Sequence, residues 1–200
     1  MDRIIKSSII SGMLIGIGVN INTFLPNKYV GAMLFSFALL SIIKLQLMLY
    51  TGQIGFLINK KFSLKEYTLM FVGNCSGTLF STILLLQTKS QSEIKQIYDI
   101  ASTKFSHTYF ELFICSLFCG VLMFVAVKCK DNVITIFCIM IFILSGFTHC
   151  IADFPFLILL SPSVHYIVKF AIIVSGNSIG SIISNILINN EEINGKYAIK

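Results

Sequence analysis

The chain has 200 residues, 56% of them hydrophobic and 12% charged, with a mean hydropathy of +0.85 and a net charge of +6. A soluble domain carries roughly a quarter charged residues to cover its core. This composition therefore argues against a soluble enzyme or a nucleic-acid-binding domain and for a chain solvated by lipid.

Residues 7–25, 67–88, 132–152 and 170–190 contain no Asp, Glu, Lys or Arg. At about 1.5 Å per residue, each run is long enough to cross a hydrocarbon core of roughly 30 Å. The first run, 7–25, has the hydrophobicity of a signal peptide. No small-residue cleavage site follows it and the next segment is again apolar, so it reads as a retained span. Segment 29–58 is too long for one straight span and too short for two with a turn. It carries Lys44 in its middle and a Thr51–Gly52 pair. Two half-helices joined by irregular backbone solve this, because free backbone groups are tolerated at membrane depth where they line a cavity or are buried in protein. A third span is expected at 66–88, a polar loop at 89–103 and a fourth span at 105–127. Segment 132–161 repeats the anomaly, apolar for the same length and broken near His149, Cys150 and Asp153. Asp153 is expected to cap the second half-helix, with Pro155 in its first turn. The last span is expected at 164–189.

With the N-terminus inside, Arg3, Lys6, Lys60, Lys61, Lys65, Lys128, Lys130, Lys196 and Lys200 fall at inner ends. Lys28, Lys89, Lys95, Lys104 and Lys169 fall outside, Lys169 as a side chain that snorkels to the headgroups. This bias fits both termini in the cytoplasm and an even number of crossings. Lys44 is expected to cap carbonyls at the first break. Six cysteines (Cys75, Cys115, Cys119, Cys129, Cys138 and Cys150) lie in or at the ends of apolar runs without a CxxC pair. They read as small hydrophobes.

The halves are alike. GNCSG at 73–77 recurs as GNSIG at 176–180, and the breaks at Thr51 and His149 are 98 residues apart. A repeat of three spans must enter from opposite faces, which gives an inverted 3+3 repeat, about 7–88 and 105–190, with its site near the midplane. The expected fold is thus all-α, a single channel domain over 1–200 with six transmembrane helices, the second and fifth broken. Small-xxx-small pairs, Gly12–Gly16, Gly73–Gly77 and Gly176–Gly180, let helix backbones approach closely.

GMLIGIG (12–18), LFSFALL…LYTGQ (34–53), GNCSG, LFCGVLMFVAV (117–127), GFTHCIADF (146–154) and SGNSIG (175–180) together resemble the formate/nitrite transporter family over nearly the whole chain. The stretch around His149 is the most specific. The resemblance implies an aquaporin-like six-span protomer with its own pore, assembled as a homopentamer and passing formate, nitrite, hydrosulfide or lactate across a bacterial inner membrane. By position, His149 resembles the central pore histidine and Thr51 the threonine of the first break. Lys104 resembles the vestibule lysine at the outer entrance of the fourth span. Phe35 and Phe142 resemble an outer apolar constriction, and Leu39 and Leu49 an inner one. Thr148, Gly120 and Asp153 depart from the common pattern, standing where many members have Glu, Asn and Asn; these changes alter the polarity around the pore centre.

The chemistry of these residues suits that expectation. An ionisable group inside a span is costly and points to function. An anion in low dielectric bears a large desolvation cost that its neutral conjugate acid avoids. The imidazole of His149 can supply a proton or a polarised hydrogen bond at the midpoint, and Thr51 can hydrogen-bond the ring or the solute. Lys104 concentrates anions at the mouth and favours their protonation. Spacing puts Lys104, His107, Thr108 and Glu111 on one helix face, so Glu111 is expected to moderate that charge. No cofactor or metal is expected. The alternatives are a membrane enzyme with a His149, Cys150 and Asp153 centre, and a non-conducting receptor or assembly protein. An aquaporin is disfavoured because neither break carries an NPA motif.

Overall fold

The computed structural model describes residues 1–161 and 163–193. Lys196 and Lys200, and with them the far end of the expected 1–200 domain, lie outside the described residues. Among these residues every regular element is helical. Four helices are long and apolar enough to cross a membrane: α1 (Asp2–Phe24), α4 (Leu64–Leu86), α6 (Tyr109–Cys129) and α9 (Val164–Ile193), the last over Val164–Asn189.

α1 packs along α4, and α6 along α9. Both seams depend on glycine. A Cβ on Gly12 would overlap the Asn74 carbonyl, and one on Gly120 would overlap that of Asn177. The two backbones therefore touch at points where any side chain would hold them apart. Ser and Thr hydroxyls bridge the seams: Thr78 donates to the Gly12 carbonyl at 2.9 Å, and Ser181 to that of Gly120 at 2.9 Å.

The two long apolar stretches are both interrupted. α2 (Lys28–Lys44) is followed by α3 (Tyr50–Gln53) and a 3-10 turn at Ile54–Asn59. α7 (Asn132–Leu144) is followed by α8 (Cys150–Leu159). Each first half ends the same way. Gln46 (φ 52°) and Gly146 (φ 70°) turn left-handed. The Leu47 amide then reaches back to Ile42 and the Gln46 amide to Ile43; Phe147 and Gly146 bond Phe142 and Ile143 in the same pattern. This is the Schellman stop, which satisfies helix-end carbonyls from the chain itself. Lys44 is exposed and leaves these carbonyls to the amides, contrary to its expected capping role. The interruptions, Leu45–Leu49 and Ser145–His149, keep a constant offset of 100 residues. The first lies just ahead of Thr51 rather than on it, and the positional counterpart of His149 is Leu49.

One expected loop is a helix. α5 (Gln91–Ser106) begins with a capping box in which Ser90 and Glu93 serve each other's amides, and it buries Ile97, Ala101 and Phe105 along one stripe. Reciprocal capping and a four-residue apolar spacing explain why this polar stretch folds. The chain then turns at His107, and Thr108 caps α6 with Glu111. Lys104 consequently sits in the last turn of α5, not on the fourth span. Lys169 does not snorkel outward either. It is 5% exposed on α9 and donates to the Phe105 carbonyl at 2.6 Å, closing the C-terminus of α5.

Candidate functional site

Two asparagines hold the interruptions in place. The Asn177 side-chain oxygen accepts from the Cys150 amide at 2.8 Å, and its nitrogen donates to the Ser116 and Thr148 carbonyls at 2.8 and 2.9 Å. Asn74 does the same in the other half. It accepts from the Tyr50 amide at 2.7 Å and donates to the Ser8 and Met48 carbonyls at 2.8 and 2.9 Å. A carboxamide can do this because it carries an acceptor and two donors on one rigid group. As glycine packing motifs, GNCSG and GNSIG account for the close helix approach but not for their shared second residue. The recurrence of Asn beside each close-packed glycine was the signal.

The Asn177 clamp fixes the start of α8, where His149 is the N-cap. Its Nδ1 accepts from the Ala152 amide at 3.1 Å. Nδ1 therefore carries no hydrogen, which leaves the neutral ring's proton on Nε2, 2.9 Å from Thr51 Oγ1. The expected pairing of His149 with Thr51 is present, made by α8 and α3 across 98 residues of sequence. The ring is 2% exposed, Thr51 is fully buried, and Thr51's carbonyl accepts from Ser181 at 3.5 Å.

On one side of this contact lies a vestibule of about 510 Å³, lined by the end of α1, the start of α2, α5, the end of α7 and α8. Phe35 and Phe142, both among its lining residues, meet edge-on with ring centres 5.7 Å apart. The Phe142 ring is 5.9 Å from the His149 ring. A single layer of aromatic carbon thus separates the vestibule from the histidine. Leu39 and Leu49 are 1% and 2% exposed in the same apolar core.

Lys104 and Asp153 both line the vestibule, joined Nζ to Oδ1 at 2.9 Å. The other Asp153 oxygen accepts from the His149 amide at 2.9 Å. Asp153 is not the N-cap of α8. It lies in the first turn and reaches back to the capping residue, while Pro155 stands farther inside the helix. Glu111 does not share a helix face with Lys104: it is 55% exposed, occupied by the Thr108 cap, and 3.7 Å from His107. The carboxylate that meets Lys104 comes from α8, 49 residues along the chain, and sequence spacing could not show it.

Thr148 gives its carbonyl to Asn177, and its buried hydroxyl has no hydrogen-bond partner among the described residues. Gly120 lies on the α6–α9 seam, where its missing side chain admits the Asn177 backbone. Both changes from the common pattern thus touch the residue that holds the second interruption.

Long apolar helices packed as two similar pairs, with two interrupted helices placing a buried histidine beside a vestibule, define a multi-pass membrane protein. The family profile described as "Formate/nitrite transporter" matches residues 1–189, and the chain belongs to that family. Two solved structures have the same fold. One is described as "Pentameric formate channel with formate bound" (18% identity, TM-score 0.70, covering 95% of this chain and 94% of that one). The other, "FNT family ion channel", also has 18% identity and a TM-score of 0.70, covering 96% and 89%. No curated protein sequence matches the chain.

Proposed function

We propose that the chain is a channel or transporter for a small monovalent anion or its conjugate acid, of the formate, nitrite, hydrosulfide or lactate class, and not an enzyme. The observation that carries this reading is the His149–Thr51 contact at 2.9 Å, one aromatic layer behind a vestibule that holds Lys104. Lys104 offers a cation at the mouth. The Phe35–Phe142 pair excludes hydrated ions and admits small dehydrated ones. Leu39 and Leu49 would form the second apolar barrier on the far side. At the centre, His149 offers a hydrogen bond from Nε2, with Thr51 orienting the ring, and the proton crosses on the solute as its conjugate acid. Protons are then co-substrates.

The architecture behind this reading is a six-crossing protomer in which residues of about 7–88 and 105–190 form an inverted repeat. Support comes from the constant offset of the two interruptions and from the matched Asn74 and Asn177 clamps. A bacterial inner membrane, cytoplasmic termini and a homopentamer complete the proposal; the solved neighbour described as a pentameric formate channel favours the last. A hydrolytic or metal centre at His149, Cys150 and Asp153 is disfavoured, since His149 and Asp153 already serve the α8 start and Lys104.

The test is uptake of the four solutes into proteoliposomes. Flux is expected for at least one, rising as external pH falls and the neutral acid becomes more abundant, and falling at least about tenfold in His149→Ala, as for loss of one buried hydrogen-bond donor. Unchanged flux in that variant at every pH removes the histidine from the mechanism.

A further inference from the structure

Among the described residues lining the vestibule, Asp153 is the one carboxylate; Lys28 and Lys104 are the lysines, and His107 is the remaining titratable side chain. Asp153 is 1% exposed. One oxygen takes the His149 amide and the other takes Lys104, so each oxygen is held by a group that fixes its position. The Lys104 side chain is 28% exposed, with its ammonium 5.8 Å from the Phe156 ring centre. The cation that faces the vestibule is thus already paired to a carboxylate from the wall behind it.

From this geometry we infer that Asp153 is a specificity-determining residue, a built-in counter-ion that competes with the solute anion for Lys104. The inference rests on the proposed transport reading and refines its substrate class. Opposite charges in contact cancel each other's field over a short distance, so an arriving anion meets a nearly neutral pair. An anion that takes Lys104 from Asp153 leaves a buried carboxylate uncompensated, the costly half of breaking a buried ion pair, and one that shares the ammonium's remaining hydrogens is repelled by the carboxylate beside it. A permanently charged anion meets one cost or the other. A weak acid avoids both, because its neutral form can hydrogen-bond the intact pair and move on. The pair therefore keeps anion capture loose and favours conjugate acids over anions of strong acids. An asparagine at this position would still accept from the His149 amide and would leave Lys104 free.

The experiment compares wild type, Asp153→Asn, Lys104→Met and the double variant, using formate as the transported weak acid and nitrate as the strong-acid anion. In Asp153→Asn, the KM for formate uptake is expected to fall at least about tenfold, and nitrate, inert toward wild type, becomes a competitive inhibitor. Melting temperatures in detergent give an arm independent of flux. Nitrate should stabilise Asp153→Asn but not wild type, as a ligand binding only the folded protein does. Lys104→Met, which strands the carboxylate, should melt lower than the double variant. If wild type passes no solute, the transport reading fails while the melting arms still judge the pair. An unchanged KM with no nitrate effect, or a Lys104→Met protein as stable as the double variant, overturns the inference.

Discussion

Asn74 and Asn177 each serve two neighbouring backbones with a single carboxamide. Removing one strands an amide and two carbonyls in a buried place. Each unsatisfied group costs about 1–3 kcal/mol, so Asn177→Ala is expected to destabilise the protein by several kcal/mol. Ser175→Ala is the control: that exposed hydroxyl bonds only its own helix, to Ala171 at 2.8 Å, and its loss should be near neutral. Thermal melting followed by circular dichroism separates the two. Equal melting temperatures would show that the amide does not hold the interruption. His149 and Thr51 were legible in the sequence because an ionisable ring in an apolar run is conspicuous. The asparagines were not, since a neutral amide beside glycine looks like packing until the groups it satisfies are known.

At the level of elements, the two Schellman stops are nearly identical in hydrogen bonding but not in residue. Gly146 takes its left-handed turn freely. Gln46 takes the same turn with a Cβ, at a cost of about 1 kcal/mol. Gln46→Gly should therefore raise stability, by up to that amount, and Gly146→Ala should lower it similarly, although nothing lies within 4 Å of a Cβ built there. Chemical denaturation of both variants checks the pair; a loss in Gln46→Gly would point to side-chain contacts that outweigh the strain. The breaks themselves were readable from length and the embedded polar residues. Helix α5 was not read, although Ser90 and Glu93 stand three apart and Ile97, Ala101 and Phe105 recur every four. Its low hydrophobicity beside the spans made it look like a loop, and that misplaced Lys104 by one element. The partner of Lys104 was hidden for a related reason: an ion pair between α5 and α8 follows from packing, not from periodicity.

For the molecule as a whole, four long helices and two interrupted ones give an even number of crossings on the proposed reading. Cys129 is exposed at the end of α6, while Cys75, Cys119, Cys138 and Cys150 are buried. In oriented vesicles Cys129 should react with an impermeant maleimide from the same face as a cysteine introduced at Asp2, and a Ser90→Cys protein should react from the other. Labelling of positions 2 and 129 from opposite faces would overturn the six-crossing arrangement. The distribution of Lys and Arg predicts the same sidedness by a separate route.

With the start of each second half-helix tied to a long helix by an asparagine, and each first half closed by its own amides, the backbone at the midplane has little freedom to swing. What can turn is the edge-on contact of Phe35 with Phe142. Turning these rings takes side-chain torsions alone and no hinge motion of the kind used by proteins that rock between inward and outward states. On the proposed reading, the interval between successive solutes is therefore set by how often two benzene rings step aside.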